Sequence, residues 1–300
     1  MRVFLTGASG FVGAYVLQEL LRRGYAVRCL VRTPGGLPAE TATGDVTRPE
    51  SLRGLMEGCD AVIHLVGIIE ERPRQGITFE AMHVEATRHV IAEAARTGIT
   101  RFVHMSANGA SKRGASRYQT TKWQAEELVR QSALPRWTIL RPSLIFGDPG
   151  PDRMEFCTRL AGTLIKRSPI LPVFGRGDYS MQPIAVETVA AACVQALELD
   201  AACNGTFCLG GKDRYSYIEI LDVITRGLGQ RPKPKIPIPI SIARAGLGTV
   251  GRWGQLPITR DQFEMLIRGN TCDESKFYDV FGIPCKPFTV QNLAYLRQRV

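Results

Sequence analysis

The apolar positions of this 300-residue chain fall into short runs that alternate with segments of helical period. Residues 2–6 read as a strand. A glycine loop follows, then an amphipathic helix over 10–23 stopped by Gly24, and a second strand over 25–31. Residues 34–44 read as a loop and 49–57 as a short helix. The run DAVIHLV, 60–66, lacks the polar alternation of a half-exposed strand, so it reads as a parallel strand covered on both faces. A helix over 79–97 ends at Gly98, a strand over 101–105 leads to a helix over 116–131, and WTILRPSLI, 137–145, reads as a further strand. Repetition of strand, helix, strand calls for a parallel sheet with helices on both faces, because parallel neighbours need helical crossovers. The expected fold class is α/β, a doubly wound Rossmann sheet.

After Gly147 the pattern loosens, broken by Pro149, Pro151, Pro169 and Pro172. Order returns over 179–199, with a strand at QPIAV and a helix from Glu187. Residues 233–239, KPKIPIP, are extended, since the prolines forbid a helix. We expect a dinucleotide-binding domain over 1–150, rejoined by 176–208, and a smaller substrate or docking lobe from 151–175 and 209–300, lying over the carboxyl ends of the strands.

Charge narrows the partners. The net charge of +10 suits phosphate-bearing ligands, but the bases are scattered, which argues against a specific nucleic-acid footprint. None of the eight cysteines forms C-x-x-C or a zinc spacing with a histidine, so they read as reduced core thiols of an intracellular protein, and no metal is expected. His64, His83, His89 and His104 read as core or helix-surface residues. No apolar run is long enough to span a bilayer, and the first strand leaves no room for a signal peptide. The expected location is cytoplasmic. Residues 240–256 place Ile240, Ala243, Leu247 and Val250 at helical spacing beside Arg244, Arg252 and Trp253. That basic apolar segment suits packing on the lobe, or docking at the inner membrane or on a protein complex.

The chemistry begins at Gly7-Ala8-Ser9-Gly10-Phe11-Val12-Gly13, between the first strand and the first helix. Gly7 permits the turn, Gly10 lets backbone approach a pyrophosphate, and Gly13 allows close helix–strand packing. The helix N-terminus offers free N–H groups to the anion. The second strand ends in Arg32, where an acid would favour NAD(H). A guanidinium there pairs with a 2′-phosphate, so NADP(H) is preferred and NAD(H) is admitted. Asp45 and Val46 are candidates for an adenine contact, Asp45 equally for a helix N-cap. Leu65, Val66 and Gly67 are placed to pass under the cofactor.

Tyr118-Gln119-Thr120-Thr121-Lys122 puts a phenol and an ammonium one helical turn apart. The ammonium favours the phenolate, and such a tyrosine can exchange a proton with a substrate hydroxyl or carbonyl while hydride moves. The lysine can also bind the nicotinamide ribose. A surface i,i+4 pair is the plain alternative.

With TGASGFVG, the Asp-Val pair, YQTTK, RPSLIFG and QPIAVETVA in order, the chain resembles the extended short-chain dehydrogenases/reductases over about residues 1–210. TRDQFEML, 259–266, is similar to the branch that holds the accessory NADPH-binding subunit of respiratory complex I and bacterial relatives labelled nucleoside-diphosphate-sugar epimerases. The resemblance implies Tyr118 and Lys122 as the catalytic pair, Ser106 beside them, and Pro142 and Ser143 next to the nicotinamide. Gln182-Pro183 falls at a family position near the substrate cleft, or simply starts a strand. Two departures stand out. The family's catalytic hydroxyl lies one or two residues beyond the first serine after strand five, where this chain has Ala107 and Asn108. The family's asparagine on the preceding helix is His83. Two functions therefore remain open. One is an NADP-dependent oxidoreductase or epimerase acting on a nucleotide sugar or a quinone-like carbonyl. The other is a nucleotide-loaded accessory subunit with little turnover.

Overall fold

The computed structural model describes residues 1–249 and 258–300. Its central sheet is built from β1 (Arg2–Thr6), β2 (Ala26–Val31), β3 (Glu40–Thr43), β4 (Ala61–His64), β5 (Arg101–Met105), β6 (Trp137–Pro142) and β7 (Gly205–Leu209). The strand order is β7-β6-β5-β4-β1-β2-β3 and every pairing is parallel. The fold is the expected doubly wound α/β sheet. The order reverses at β1, with Leu5 facing Cys29 of β2 on one side and Ile63 of β4 on the other. A sheet that reverses in this way opens a crevice at the carboxyl ends of its strands, where ligands bind.

Helices α1 (Phe11–Arg22), α2 (Ala86–Arg96), α3 (Arg117–Arg130) and α4 (Val186–Gln195) flank the sheet. Phe4, Val62, Phe102 and Ile139 of one sheet face pack with Val90 and Ala94 of α2 and Val129 of α3. α1 packs against α4.

Several local expectations give way. Residues 40–43 are a strand rather than loop, because ETAT is a mostly exposed edge with no apolar run to announce it. Residues 49–57 hold only a 3₁₀ turn, Pro49–Leu52, ended before Gly54, whose φ is +81°. β4 closes at His64. The helix over 79–97 begins with a π-helical turn, Glu80–Glu85, before α2. β6 stops at Pro142, and Ile145–Phe146 pairs instead with Ile184–Ala185. β7 was not read from the sequence.

The chain divides into two compact units. The first holds Met1–Pro142, Val186–Leu209 and Glu274–Pro284. Helix Ser275–Phe281 belongs to it through Phe281, whose ring centre lies 5.1 Å from that of Phe207 in β7. The second unit holds Ser143–Ala185, Gly210–Asp273 and Cys285–Val300. Its core gathers Phe146, Leu171, Val173, Ile220, Leu221, Ile224, Leu293 and Leu296 around helix Tyr217–Gly227. The first part of the basic apolar segment is helix Ile240–Thr249, and its residues 250–256 lie outside the described residues. Among the described residues, no helix is long and apolar enough to cross a membrane.

Candidate functional site

The glycine loop leaves β1 through Gly7, whose φ of +78° is a backbone conformation that side-chain-bearing residues rarely adopt. The Gly7 carbonyl accepts the Gly10 N–H at 3.0 Å, which closes the turn. A Cβ on Gly13 would stand 2.0 Å from that carbonyl oxygen, so α1 can approach β1 only because residue 13 is glycine. A Cβ on Gly10 would meet the same oxygen at 3.2 Å. α1 starts at Phe11 behind Gly10, with no side chain capping it. The N–H groups of Phe11, Val12 and Gly13 belong to the first helical turn, which lacks intrahelical acceptors. Exposed Ser9 sits on the same turn. Leu65 and Val66, just past β4, lie 3.3 Å from where a Gly7 Cβ would be. The chain thus folds into a glycine-lined cradle at the switch point, which fits a pyrophosphate.

Arg32 follows β2, exposed and without a hydrogen bond or ion pair among the described residues. Asp45 accepts the N–H and hydroxyl of Thr47 at 2.9 and 2.8 Å, so its carboxylate shapes a turn of its own. Burial opposes its ionisation, but the Thr47 bonds and the charges of Arg32 and Arg48 hold its pKa below the usual carboxylate range. Val46 is buried and its carbonyl accepts from His89 Nδ1 at 2.9 Å.

Lys122 comes from the buried face of α3, and Ser116 caps that helix by accepting the Gln119 N–H at 3.2 Å. Lys122 is 4% exposed, and its ammonium donates to the Met105 carbonyl at the end of β5, 3.0 Å away. A Cβ on Gly67 would lie 2.9 Å from Lys122 Nζ, so a residue with a side chain would displace the ammonium. Burial pulls its pKa down to about 8, and Glu126 opposes that shift.

Tyr118, one turn earlier, stands edge-on to Phe79 (ring centres 5.8 Å apart) and to His83 (5.4 Å). Its hydroxyl has no hydrogen-bond partner among the described residues. Burial pushes its pKa up to about 12. The lysine does not lower it here, because that ammonium is turned to the Met105 carbonyl.

His83 is set against Tyr118 by the π-helical turn, a distortion frequent at functional sites. Its Nδ1 meets the Thr121 hydroxyl at 2.9 Å and its Nε2 lies 3.0 Å from the Ile68 carbonyl. Burial and the Lys122 charge push its pKa down to about 2, so the ring is neutral. Beneath the site His64 and His104 stack with centres 5.6 Å apart. His64 is tied to the Thr6 and Thr87 hydroxyls, whereas neither nitrogen of His104 has a partner among the described residues. Ser106 is 3% exposed, and its hydroxyl too is buried without a partner. A buried hydroxyl with no protein partner fits a hydrogen-bonding ligand.

Pro142 ends β6, and its carbonyl accepts the Asn108 N–H at 2.9 Å. In the second unit, the Ser143 hydroxyl donates to the Gln182 carbonyl. The Gln182 amide is fully committed, donating to the Gly211 carbonyl at 2.7 Å and accepting the Cys272 N–H at 2.9 Å, which makes it a strut. Sequence reasoning missed Thr121, the reason for Gly67, and Glu126. Glu126 is fully buried and takes Arg141 at 2.7 and 2.6 Å and Arg130 at 2.6 Å. Its position four residues from both Lys122 and Arg130 was the available signal. Among the described residues, no three His, Cys, Asp or Glu side chains are grouped to hold a metal.

Comparison with known proteins bears on the same segments. Residues 7–199 match the family model described as NAD(P)H-binding. The chain is 32% identical to a ceramide reductase of Caulobacter vibrioides over 87% of this chain and 81% of that protein. It is also 32% identical to the mitochondrial NADH dehydrogenase [ubiquinone] 1 alpha subcomplex subunit 9 of Arabidopsis thaliana, over 80% of this chain and 61% of that protein. A solved UDP-glucuronic acid 4-epimerase of Bacillus cereus, in complex with UDP-glucuronic acid and NAD, superposes with a TM-score of 0.76 at 19% identity and covers 99% of each chain, a likeness of fold. With the cradle and these matches in place, the chain belongs to the NAD(P)H-binding family that its residues 7–199 match, among whose relatives is a ceramide reductase.

Proposed function

We propose that the chain is an NADP-dependent oxidoreductase that interconverts a ketone and a hydroxyl on a bulky, largely apolar small molecule. One observation carries the reading. A buried ammonium is held beneath Gly67, one turn from a phenol whose hydroxyl is unbonded. Burying a lysine is unfavourable, so its retention there suits a task in the site.

The cradle from Gly7 through Ser9, Gly10, Phe11, Val12 and Gly13 would hold the pyrophosphate. Leu65, Val66 and Gly67 would lie along the dinucleotide, Asp45 and Val46 at the adenine, and Pro142 and Ser143 at the nicotinamide end. Arg32, unpaired at the end of β2, would take the 2′-phosphate, which favours NADP(H) over NAD(H). When bound, the nicotinamide supplies or accepts a hydride. In reduction, Tyr118 gives its phenolic proton to the carbonyl oxygen, and in oxidation it takes that proton back. Lys122 would hold ribose hydroxyls. Ser106 offers its unpartnered hydroxyl to the substrate oxygen or the cofactor. The ketone reading draws on the ceramide reductase similarity and the apolar wall of Phe79.

A second reading, a subunit that keeps NADPH and turns over little, is favoured by Tyr118 itself, since burial drives its pKa to about 12, away from a phenolate. The accessory-subunit similarity agrees with it.

The test is to denature purified protein, identify any released nucleotide by mass spectrometry, titrate the apo protein with NADPH and NADH, and assay ketone reduction with Tyr118→Phe. We expect NADPH to bind more tightly than NADH. Tyr118→Phe should keep that affinity and lose about 10²–10⁴-fold in rate, the usual contribution of a general acid. Stoichiometric retained NADPH without turnover would favour the second reading. Failure to bind either cofactor would overturn both.

A further inference from the structure

Within the second unit, the ladder of Leu171–Phe174 with Lys235–Ile238 carries apolar side chains on both faces. Side chains alternate across a strand, so Leu171 and Val173 point into the core of the unit. The paired positions Pro172 and Ile236 lie on the opposite face, while Phe174 at the end of the ladder packs on Phe263, ring centres 5.0 Å apart. There Ile236 is 53% exposed, Ile170 just before the ladder 41%, and Ile242 in helix Ile240–Thr249 63%. The helix is held beside the ladder by Ile240, whose side chain reaches within 3.1 Å of the Cβ position of Gly175. Three separate segments therefore raise large apolar side chains on one part of the surface.

Cations flank two of them along the chain. Lys166 and Arg167 precede Ile170, and Arg231, Lys233 and Lys235 precede Ile236. Arg167 and Arg231 are exposed and have no ion pair among the described residues. Lys166 reaches the main-chain oxygen of Val300, and Lys233 donates to the carbonyls of Ile165 and Ser168. Lys235 is paired with Asp222.

We propose that this face docks on an anionic lipid surface, with Ile170, Ile236 and Ile242 entering the headgroup–acyl boundary and Arg167 and Arg231 lying among lipid phosphates. Exposed apolar side chains flanked by bases are what such a boundary accommodates. A protein partner fits less well. Pro234, Pro237 and Pro239 remove N–H donors along the extended segment, so another chain cannot readily add a strand there. A second copy meeting this face by twofold symmetry would bring its Arg167 and Arg231 against the same cations. The proposal does not depend on the nucleotide site.

The experiment is co-sedimentation of the full chain with vesicles of phosphatidylcholine alone and of phosphatidylcholine with phosphatidylglycerol. We expect binding to the anionic vesicles that weakens with added salt. Arg167→Glu with Arg231→Glu should lower partitioning by at least about 25-fold, at about fivefold per cation lost. Ile236→Asp with Ile242→Asp should lower it by about tenfold or more. Both pairs are exposed, so unchanged melting and NADPH affinity would show that the fold survives. The proposal is overturned by equal binding to both vesicle types, by wild-type binding of the isoleucine variant, or by sedimentation velocity showing a dimer that these substitutions dissolve.

Discussion

Lys122 is the side chain whose placement costs the candidate site most. Its ammonium donates to the Met105 carbonyl and is buried where Glu126 only partly offsets the loss of water. Its folded-state pKa of about 8 lies below the unfolded value near 10.4. Between those values the folded protein binds fewer protons than the unfolded chain, so stability rises with pH across that window and the burial cost is in full force below it. Replacing Lys122 with Met removes the charge at similar volume, though it leaves the Met105 carbonyl without its donor. The apo Lys122→Met protein should therefore melt above the wild type at pH 7, by something on the order of 2 kcal/mol. The gap should close as pH rises from about 8 to about 10.4. Thermal melts across that range check it, and a gap that does not change with pH would mean the ammonium carries no burial penalty. At this scale the sequence spoke clearly about identity and poorly about environment. The spacing of Tyr118 and Lys122 was readable because a helix puts i and i+4 on one face. The role of glycine at 67 was not, because the atom that a side chain there would displace is Lys122 Nζ, which only the folded chain brings near.

At the scale of elements, α3 must hold Tyr118 and Lys122 at one height along the sheet. A buried clamp does this. Both Glu126 oxygens are taken by the Arg141 guanidinium of β6, and one is shared with Arg130 of α3 itself. Arg141 and Arg130 keep 22% and 27% of their side-chain surface, so they can be partly rehydrated if the acid is lost. Glu126→Ala should then cost about 3 kcal/mol, the low end for breaking a buried ion pair. Urea denaturation reads that loss, and a change under about 0.5 kcal/mol, typical of surface substitutions, would show that the helix is fixed by its apolar contacts alone. Apolar periodicity foretold α1, α3 and β5 closely because their buried faces carry the signal. It could not foretell β3, whose four residues are mostly exposed, nor the π-helical turn at Glu80–Glu85. That turn is a change of one residue per turn with no compositional mark, yet it places His83 where the family's asparagine was expected.

For the molecule as a whole, the first unit is not continuous in sequence, and that is where pattern reading is weakest. β7 is a five-residue run, GTFCL, far from the other strands in sequence, and only its parallel register with β6 identifies it. α4 is needed on the other side. Val16, Leu17 and Leu20 of α1 are buried, as are Val189, Ala190 and Cys193 of α4, and the two helices pack together. A fragment ending at Pro142 would keep every residue of the phosphate cradle and the Tyr118–Lys122 turn, but would expose the α1 face and the outer edge of β6. Each fully buried aliphatic side chain left in water costs about 1.5–3 kcal/mol, so losing cover over several of them exceeds the usual stability of a domain. The fragment 1–142 should therefore show no cooperative melt and no saturable NADPH binding, while the full chain shows both. Circular dichroism and fluorescence titration of the two side by side decide the matter. If the fragment bound NADPH like the full chain, the cradle would be self-sufficient, and the later segments would serve some purpose other than completing the nucleotide-binding unit.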